Sequence, residues 1–176
     1  MIRFVSAALF AVLSLSLAGP VLAEGSAKPI QIALFDPIQI FGRDQEIRGL
    51  RLNLLYGVNS RMTGLDLGLV NRTTGDFKGL QYGVVGLVEG NFTGWQDNFI
   101  NITGGKMTGL ASGAYNGAGS AEGVLFGFVN ITDDMNGLQL GIFNLAKNLY
   151  GLQIGLINVA QNKDKFPVLP IVNWSF

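Results

Sequence analysis

Apolar residues recur along this chain with two nested periods. Within short stretches they alternate with small or polar residues, as in Leu138, Leu140 and Ile142 with Gln139 and Gly141 between them. Such period-two alternation marks a strand with two unlike faces. Over longer distances the whole phrase returns. A glycine followed by an apolar residue stands at Gly49, Gly64, Gly79, Gly94, Gly109, Gly123, Gly137 and Gly151, spaced by 15 residues four times and then by 14 three times. The clearest copies are GLQLGIFNLAKNLY over 137–150 and GLQIGLINVA over 151–160. A spacing this regular is an internal repeat. Glycine every few residues argues against helix, since each costs about 1 kcal/mol relative to alanine there. The fold class predicted is all-β.

Columns read across the repeat define the strand. Two residues before the glycine stand Ile47, Met62, Phe77, Phe92, Met107, Ala121, Met135 and Leu149, an apolar set. One residue after it come Leu50, Leu65, Leu80, Trp95, Leu110, Val124, Leu138 and Leu152. Seven residues after it the column reads Tyr56, Asn71, Gly86, Asn101, Asn116, Asn130, Asn144 and Asn158, so each strand is expected to end near an Asn. The apolar columns are broken at Asp97, Ser112 and Ala114.

The connections carry turn chemistry. Gly75-Asp76, Gly90-Asn91 and Gly104-Gly105 are pairs that tolerate positive φ and suit a tight hairpin. A loop at Gly75-Asp76 would set Leu69 opposite Tyr82 and Leu67 opposite Val84. A three-residue loop at 147–149 would set Ile142 opposite Ile154. Eight such strands, with an irregular strand or strand pair within 29–41 and a final strand over 166–176, predict an antiparallel meander closing into a barrel of about ten strands, which leaves no edge unpaired. Strands of about ten residues match what a tilted strand needs to cross a bilayer. Leu138, Leu140 and Ile142 would then face lipid. Gly137, Gln139 and Gly141 would face a narrow lumen, as would Val70, Val85, Ile100, Val129, Phe143 and Ile157. The competing architecture is a parallel β-solenoid of 14–15-residue coils, with Asn stacked on Asn and Gly on Gly. Uniform columns favour it, but so small a coil encloses little core.

Composition narrows the chemistry. The start of the chain reads as a secretory signal peptide over 1–23: Met1-Ile2-Arg3, an apolar run over 4–18, and the small-residue site Val21-Leu22-Ala23. One domain is expected over 24–176, with regular repeats over 47–162. The 176 residues include no Cys and no His, and net charge is zero. Disulfides, imidazole or thiolate nucleophiles and Zn sites of those ligands are thereby excluded. No basic stripe suits nucleic acid, and no phosphate-binding glycine motif occurs. Asp133-Asp134 are the only adjacent carboxylates, in a turn, and their spacing to Asn136 matches no calcium loop. Catalytic, cofactor and metal sites are all expected to be none. Asn71, Asn91, Asn101, Asn130 and Asn173 begin Asn-x-Ser/Thr triplets, read here as by-products of the repeat. An ice-binding ladder of Thr is excluded: the column two after the glycine, taken as outward, runs Arg51, Asp66, Gln81, Gln96, Ala111, Leu125, Gln139, Gln153.

The last strand alternates Val172, Trp174 and Phe176 and ends on the Phe. It resembles the terminal strand of bacterial outer-membrane barrels, which implies insertion by the barrel-assembly machinery. The repeat resembles the exported bacterial "surface repeat" proteins, whose phrases of the GLQLGIFN type recur before a Pro-rich strand with an Asn-aromatic ending. The resemblance covers most of 29–176. It implies a cell-envelope location and carries no catalytic residues. The expectation is a non-catalytic outer-membrane or cell-surface protein in contact with membrane lipid. The alternatives are a soluble periplasmic or surface solenoid that binds a partner, and a narrow outer-membrane channel.

Overall fold

The computed structural model describes residues 27–176. The stretch read as a signal peptide, 1–23, lies outside the described residues. Within them the fold is all-β: β1 Lys28–Phe35, β2 Ile38–Gln39, β3 Glu46–Asn59, β4 Arg61–Thr73, β5 Phe77–Val88, β6 Phe92–Leu140, β7 Phe143–Ala160 and β8 Val168–Ser175. They pair in the order β2-β1-β3-β4-β5-β6-β7-β8. β2 is antiparallel to β1, the pairings β1-β3, β3-β4, β4-β5, β5-β6 and β6-β7 are all parallel, and β8 is antiparallel to β7. The architecture is therefore a β-solenoid with one coil per repeat, and the long β6 is several coils of continuous strand.

This corrects the antiparallel barrel. Leu67 pairs with Tyr82 and Leu65 with Leu80, each residue beside its counterpart in the repeat, rather than Leu69 with Tyr82. Leu140, not Ile142, pairs with Ile154. Gly75-Asp76 and Gly90-Asn91 do not reverse the chain. They are corners stacked on one another, with Gly90 N donating to Gly75 O at 3.2 Å and Gly105 N to Gly90 O at 3.0 Å. Turn-forming residues suit a corner as well as a hairpin, because both need the chain to bend within two residues. The shortening from 15 to 14 residues falls at this corner, where the two residues Gly104-Gly105 give way to single ones such as Asp133 and Lys147.

The coil has two limbs. On the first, side chains alternate from the buried column of Ile47, Met62 and Phe77 to an outward residue five after the glycine. The next residue also faces out, as in Leu69-Val70, Val84-Val85, Phe99-Ile100 and Phe128-Val129. Two outward neighbours break the alternation and mark the bend into the second limb. That is why Val70, Val85, Ile100, Val129, Phe143 and Ile157 lie on the outer surface and line no lumen.

The repeat glycines are where adjacent coils come closest. All eight have φ between +120° and +144°, a region that L side chains rarely adopt. A Cβ built on Gly79 would fall on the carbonyl oxygen of Gly64, and one on Gly64 on that of Gly49. The column is thus obligatory glycine for two reasons at once. The ends are closed differently. β1 is a partial coil covered by β2, and β8 runs back along β7 with Pro167 and Pro170, which lack the N–H of an exposed edge.

Gly79→Ala is expected to cost about 3 kcal/mol or more through backbone strain and overpacking. Gly117→Ala, where the nearest neighbour is the movable Tyr115 ring, should stay within about 1 kcal/mol. The midpoint of chemical denaturation reads the difference, and equal midpoints would remove the close approach of coils as a constraint.

Candidate functional site: an apolar exterior over a polar interior

The interior is divided in two. Near the corner that carries the charges lies the apolar ladder Ile47, Met62, Phe77, Phe92, Met107, Ala121, Met135 and Leu149, packed with Val88, Ala146 and Ala160. Phe77 and Phe92 stack nearly parallel, with ring centroids 4.9 Å apart and 8° between their planes, within the range of offset-stacked rings. Near the opposite bend the interior is polar, although a coil interior would ordinarily take hydrocarbon. Gln81, Gln96, Gln139 and Gln153 are buried, as are Asn71, Asn101, Asn116, Asn130, Asn144 and Asn158. The column from Arg51 to Gln153, whose Gln139 the barrel reading sets toward the lumen and which only the ice-binding test takes as outward, is buried throughout, because it sits two residues from the glycine on the inward phase.

The asparagines form a ladder along the axis. Asn101, Asn116, Asn130 and Asn144 each donate through Nδ2 to Oδ1 of the next, ending on Asn158, at 2.8 Å every time. The second amide hydrogen of each reaches the first limb of the next coil, as from Asn130 to Leu140 O at 2.9 Å and from Asn144 to Ile154 O at 3.0 Å. One side chain thereby satisfies a neighbour in its own column and ties the two limbs together. Each such bond contributes about 1 kcal/mol net, and an unpaired buried amide costs about 1–3 kcal/mol. The space for these amides comes from Gly83, Gly127, Gly141 and Gly155, four residues after the repeat glycine. A Cβ there would lie 2.6–2.8 Å from an Asn Nδ2.

These roles are exchanged at two places, within the coil of Gly49 and between the coils of Gly79 and Gly94. Gly57 and Gly86 stand in the Asn position, since Gly57 pairs with Asn71 and Gly86 with Asn101. Asn53 and Asn98 stand instead where the other coils have the second glycine. Asn98 Nδ2 donates to Asn101 Oδ1 at 2.7 Å and Asn53 Nδ2 to Asn71 Oδ1 at 2.8 Å, so the ladder continues from the other limb. The exchange leaves Oδ1 of Asn53 and of Asn98 without a partner. At the N-terminal end the buried Arg51 grips Asp66 through Nε at 2.8 Å and Nη2 at 2.6 Å, with Arg72 O and Thr73 Oγ1 taking further donors. A fork-to-carboxylate pair suits full burial, since it leaves few donors unmet.

The exterior is the reverse of a usual surface. Outward on the first limb stand Leu50, Leu52 and Leu54, Leu65, Leu67 and Leu69, Leu80, Tyr82 and Val84, and likewise through Leu138, Leu140 and Ile142 to Leu152, Ile154 and Leu156. The leucines thus face outward as the sequence predicts, although on a rod. The second limb adds Leu87, Ile102, Ile131 and Leu145. Charges gather on the remaining edge. There Arg48 meets Glu46 at 2.7 Å, Lys147 meets Asp133 at 2.7 Å, and Lys106 pairs with Glu122. Arg72 at its rim is raised above its ordinary value by hydrogen bonds to Tyr56 and then Glu89. Asp134 of the paired carboxylates accepts from Asn148 Nδ2 at 2.7 Å. Among the described residues no cluster of three potential metal ligands forms.

The terminal strand has another role than the one read for it. Trp174 pairs with Leu152 and Val172 with Ile154, so both extend the apolar face while β8 caps the last coil. Phe176 stands edge-on to Tyr150 at 6.1 Å. Asn173 is buried, donating to Asn158 O at 3.3 Å, and continues the interior. Of the triplet asparagines, Asn91 is exposed and Asn71, Asn101, Asn130 and Asn173 are buried. Sequence reasoning missed the bend, whose signal was the consecutive apolar pair, and missed Trp95 as a hydrogen-bonding residue. Trp95 Nε1 donates to Ser112 Oγ at 3.0 Å, and Ser112 Oγ donates to Asp97 Oδ1 at 2.6 Å. These three side chains join Asp97 and Ser112, the breaks in the apolar column, into one group.

Comparison with family models, curated proteins and solved structures returns no match to this chain.

The exchange of Asn and Gly is expected to be energetically coupled. Gly86→Asn crowds Gln81 and Asn98, and Asn98→Gly strips Asn101 of a donor. Each alone should destabilise. The double variant restores the pattern of the other coils and should recover about 1–3 kcal/mol relative to the sum. Strict additivity in a double-mutant cycle would show that the two positions do not share one space.

Proposed function

We propose that the chain is an exported, non-catalytic β-solenoid that lies in the cell envelope with its apolar sheets against membrane hydrocarbon and its charged edge in water. The observation that carries this reading is the segregation of the exterior: two adjoining sheets that are apolar except at Asp97 and Arg72, with the other exposed charges gathered on the third side. With rungs about 4.8 Å apart and outward residues spread over about 13 Å of strand, the first-limb face alone covers roughly 500 Å². Monomeric soluble proteins seldom expose a contiguous apolar patch beyond a few hundred Å².

Lipid is preferred to a second copy of the chain on geometric grounds. A face-to-face partner would cover one sheet and leave the other in water, whereas hydrocarbon wets both sides of the bend together. The run over 1–23, with its apolar core and small-residue end, supports export, and the resemblance to surface-repeat proteins supports the envelope. Among the described residues no helix is long and apolar enough to cross a membrane. In this reading the rod lies along the surface, its long axis in the membrane plane.

The purified chain is expected to float with phosphatidylcholine vesicles in a density gradient. Leu69→Lys should weaken flotation, since a lysine on a lipid-facing strand costs about 2–4 kcal/mol at the bilayer midplane and about 0–1 kcal/mol near the interface, while Thr63→Lys on the charged edge should leave flotation intact. A chain that stays in the aqueous layer as a monomer overturns the reading. A lipid-free dimer that does not float assigns the apolar sheet to a second copy.

A further inference from the structure

In a chain built from copies, the informative positions are those where the copies disagree. On the first limb the outward column three after the glycine reads Leu52, Leu67, Tyr82, Asp97, Ser112, Phe126, Leu140 and Ile154. The column five after it reads Leu54, Leu69, Val84, Phe99, Ala114, Phe128, Ile142 and Leu156. Every polar or small substitution in these two columns falls at Asp97, Ser112 and Ala114, in two adjacent coils. The same neighbourhood has the only tryptophan among the residues that directly follow a repeat glycine, Trp95, and the exposed rings of Phe99, Phe126 and Phe128. Random drift would scatter such changes along the rod. Here they meet.

Together they hollow the face. Ser112, Gly113 and Ala114 form the low ground between the phenylalanine rings, and the groove has a volume of about 590 Å³. Small-molecule sites are commonly of this kind: largely apolar, within about 300–1,000 Å³, with a few placed polar groups. The placed group is the Asp97 carboxylate. Ser112 spends its one hydrogen on Asp97 Oδ1, and its oxygen is in turn held by the Trp95 indole N–H. The carboxylate is oriented by this relay, and Oδ2 accepts no hydrogen bond from the described residues. Asp66, Glu89, Glu122 and Asp133 are matched by a cation, while Asp44, Asp76, Asp134 and Asp164 are not but lie exposed to water. Among the described residues Asp97 makes no such pair, although it stands amid apolar side chains.

We propose that this groove binds an amphipathic amine, its hydrocarbon or aryl body against Phe99, Phe126 and Phe128 and its ammonium on Asp97 Oδ2. The charge rules out an anion. One free carboxylate oxygen suits a point cation with rotatable donors, whereas a guanidinium fork would want both oxygens. A single carboxylate is too few hard ligands for calcium or magnesium. Aromatic faces close by add attraction for a desolvated cation. The amine comes either from a free amphiphile or from a lipid headgroup. The groove lies on the sheet that the membrane reading sets against hydrocarbon, and its amine site goes beyond that reading and is tested separately from it.

The test uses Trp95 as the reporter, in a Trp174→Phe background that leaves it the only tryptophan, since the chain has two. Titration with n-octylammonium is expected to shift Trp95 emission saturably, with octanoate at least about tenfold weaker and octanol between them. Asp97→Asn should weaken octylammonium about tenfold and leave octanol unchanged. Ala114→Leu should fill the groove and abolish both. Octanoate binding as tightly as octylammonium, or an Asp97→Asn variant with unaltered octylammonium affinity, overturns the proposal. Displacement of octylammonium by monomeric dihexanoyl phosphatidylethanolamine but not by dihexanoyl phosphatidylcholine assigns the amine to a lipid headgroup; displacement by neither assigns it to a free amphiphile, and either result upholds the site. Vesicle flotation is expected to survive Asp97→Asn, so failure here and failure of the membrane reading are separately visible.

Discussion

The structure depends on amides that bond to copies of themselves. An Asn in one coil meets an Asn in the next at hydrogen-bond distance only when the chain returns in the same direction and in register. A coil of 14–15 residues has too little room for a conventional hydrocarbon core. Filled with amide groups whose donors are directed along the axis and across it, the same narrow interior becomes cohesive. The apolar ladder around Phe77 and Phe92 fills the remaining half. The exterior is then free to be apolar, because the fold does not need those leucines inside.

Much of the local structure was readable in the chain. The glycine spacing set the coil length, the alternation set which side of the first limb each residue occupies, and the leucines do face outward. Direction was not readable from those signals. A parallel coil and an antiparallel meander impose the same period-two pattern on one strand, and Gly75-Asp76 serves a corner as well as a hairpin. The decisive clue was non-local. Gly86 and Asn98 compensate each other only when the second limb of one coil lies against the first limb of the next. Such compensation has meaning once the register is known, and little before.

The apolar groove was half visible for the same reason. Asp97, Ser112 and Ala114 stood out as breaks in a column, but breaks 15 residues apart become neighbours only in a parallel stack. The Trp95–Ser112–Asp97 relay spans two coils and is a product of that stacking. The terminal strand was misread because its alternation fits a capping strand as well as a barrel seam. Its prolines and its antiparallel pairing to β7 belong to an end, where an exposed ladder edge must be blunted.

A chain with carboxamides within and leucines without also inverts the usual thermal bookkeeping. Unfolding would hydrate amides, which lowers heat capacity, and would add less new hydrocarbon to water than in an ordinary domain, because so much is already outside. The heat-capacity increment of such a rod is small for its length. Its free-energy curve is correspondingly shallow, so cooling removes little of its stability.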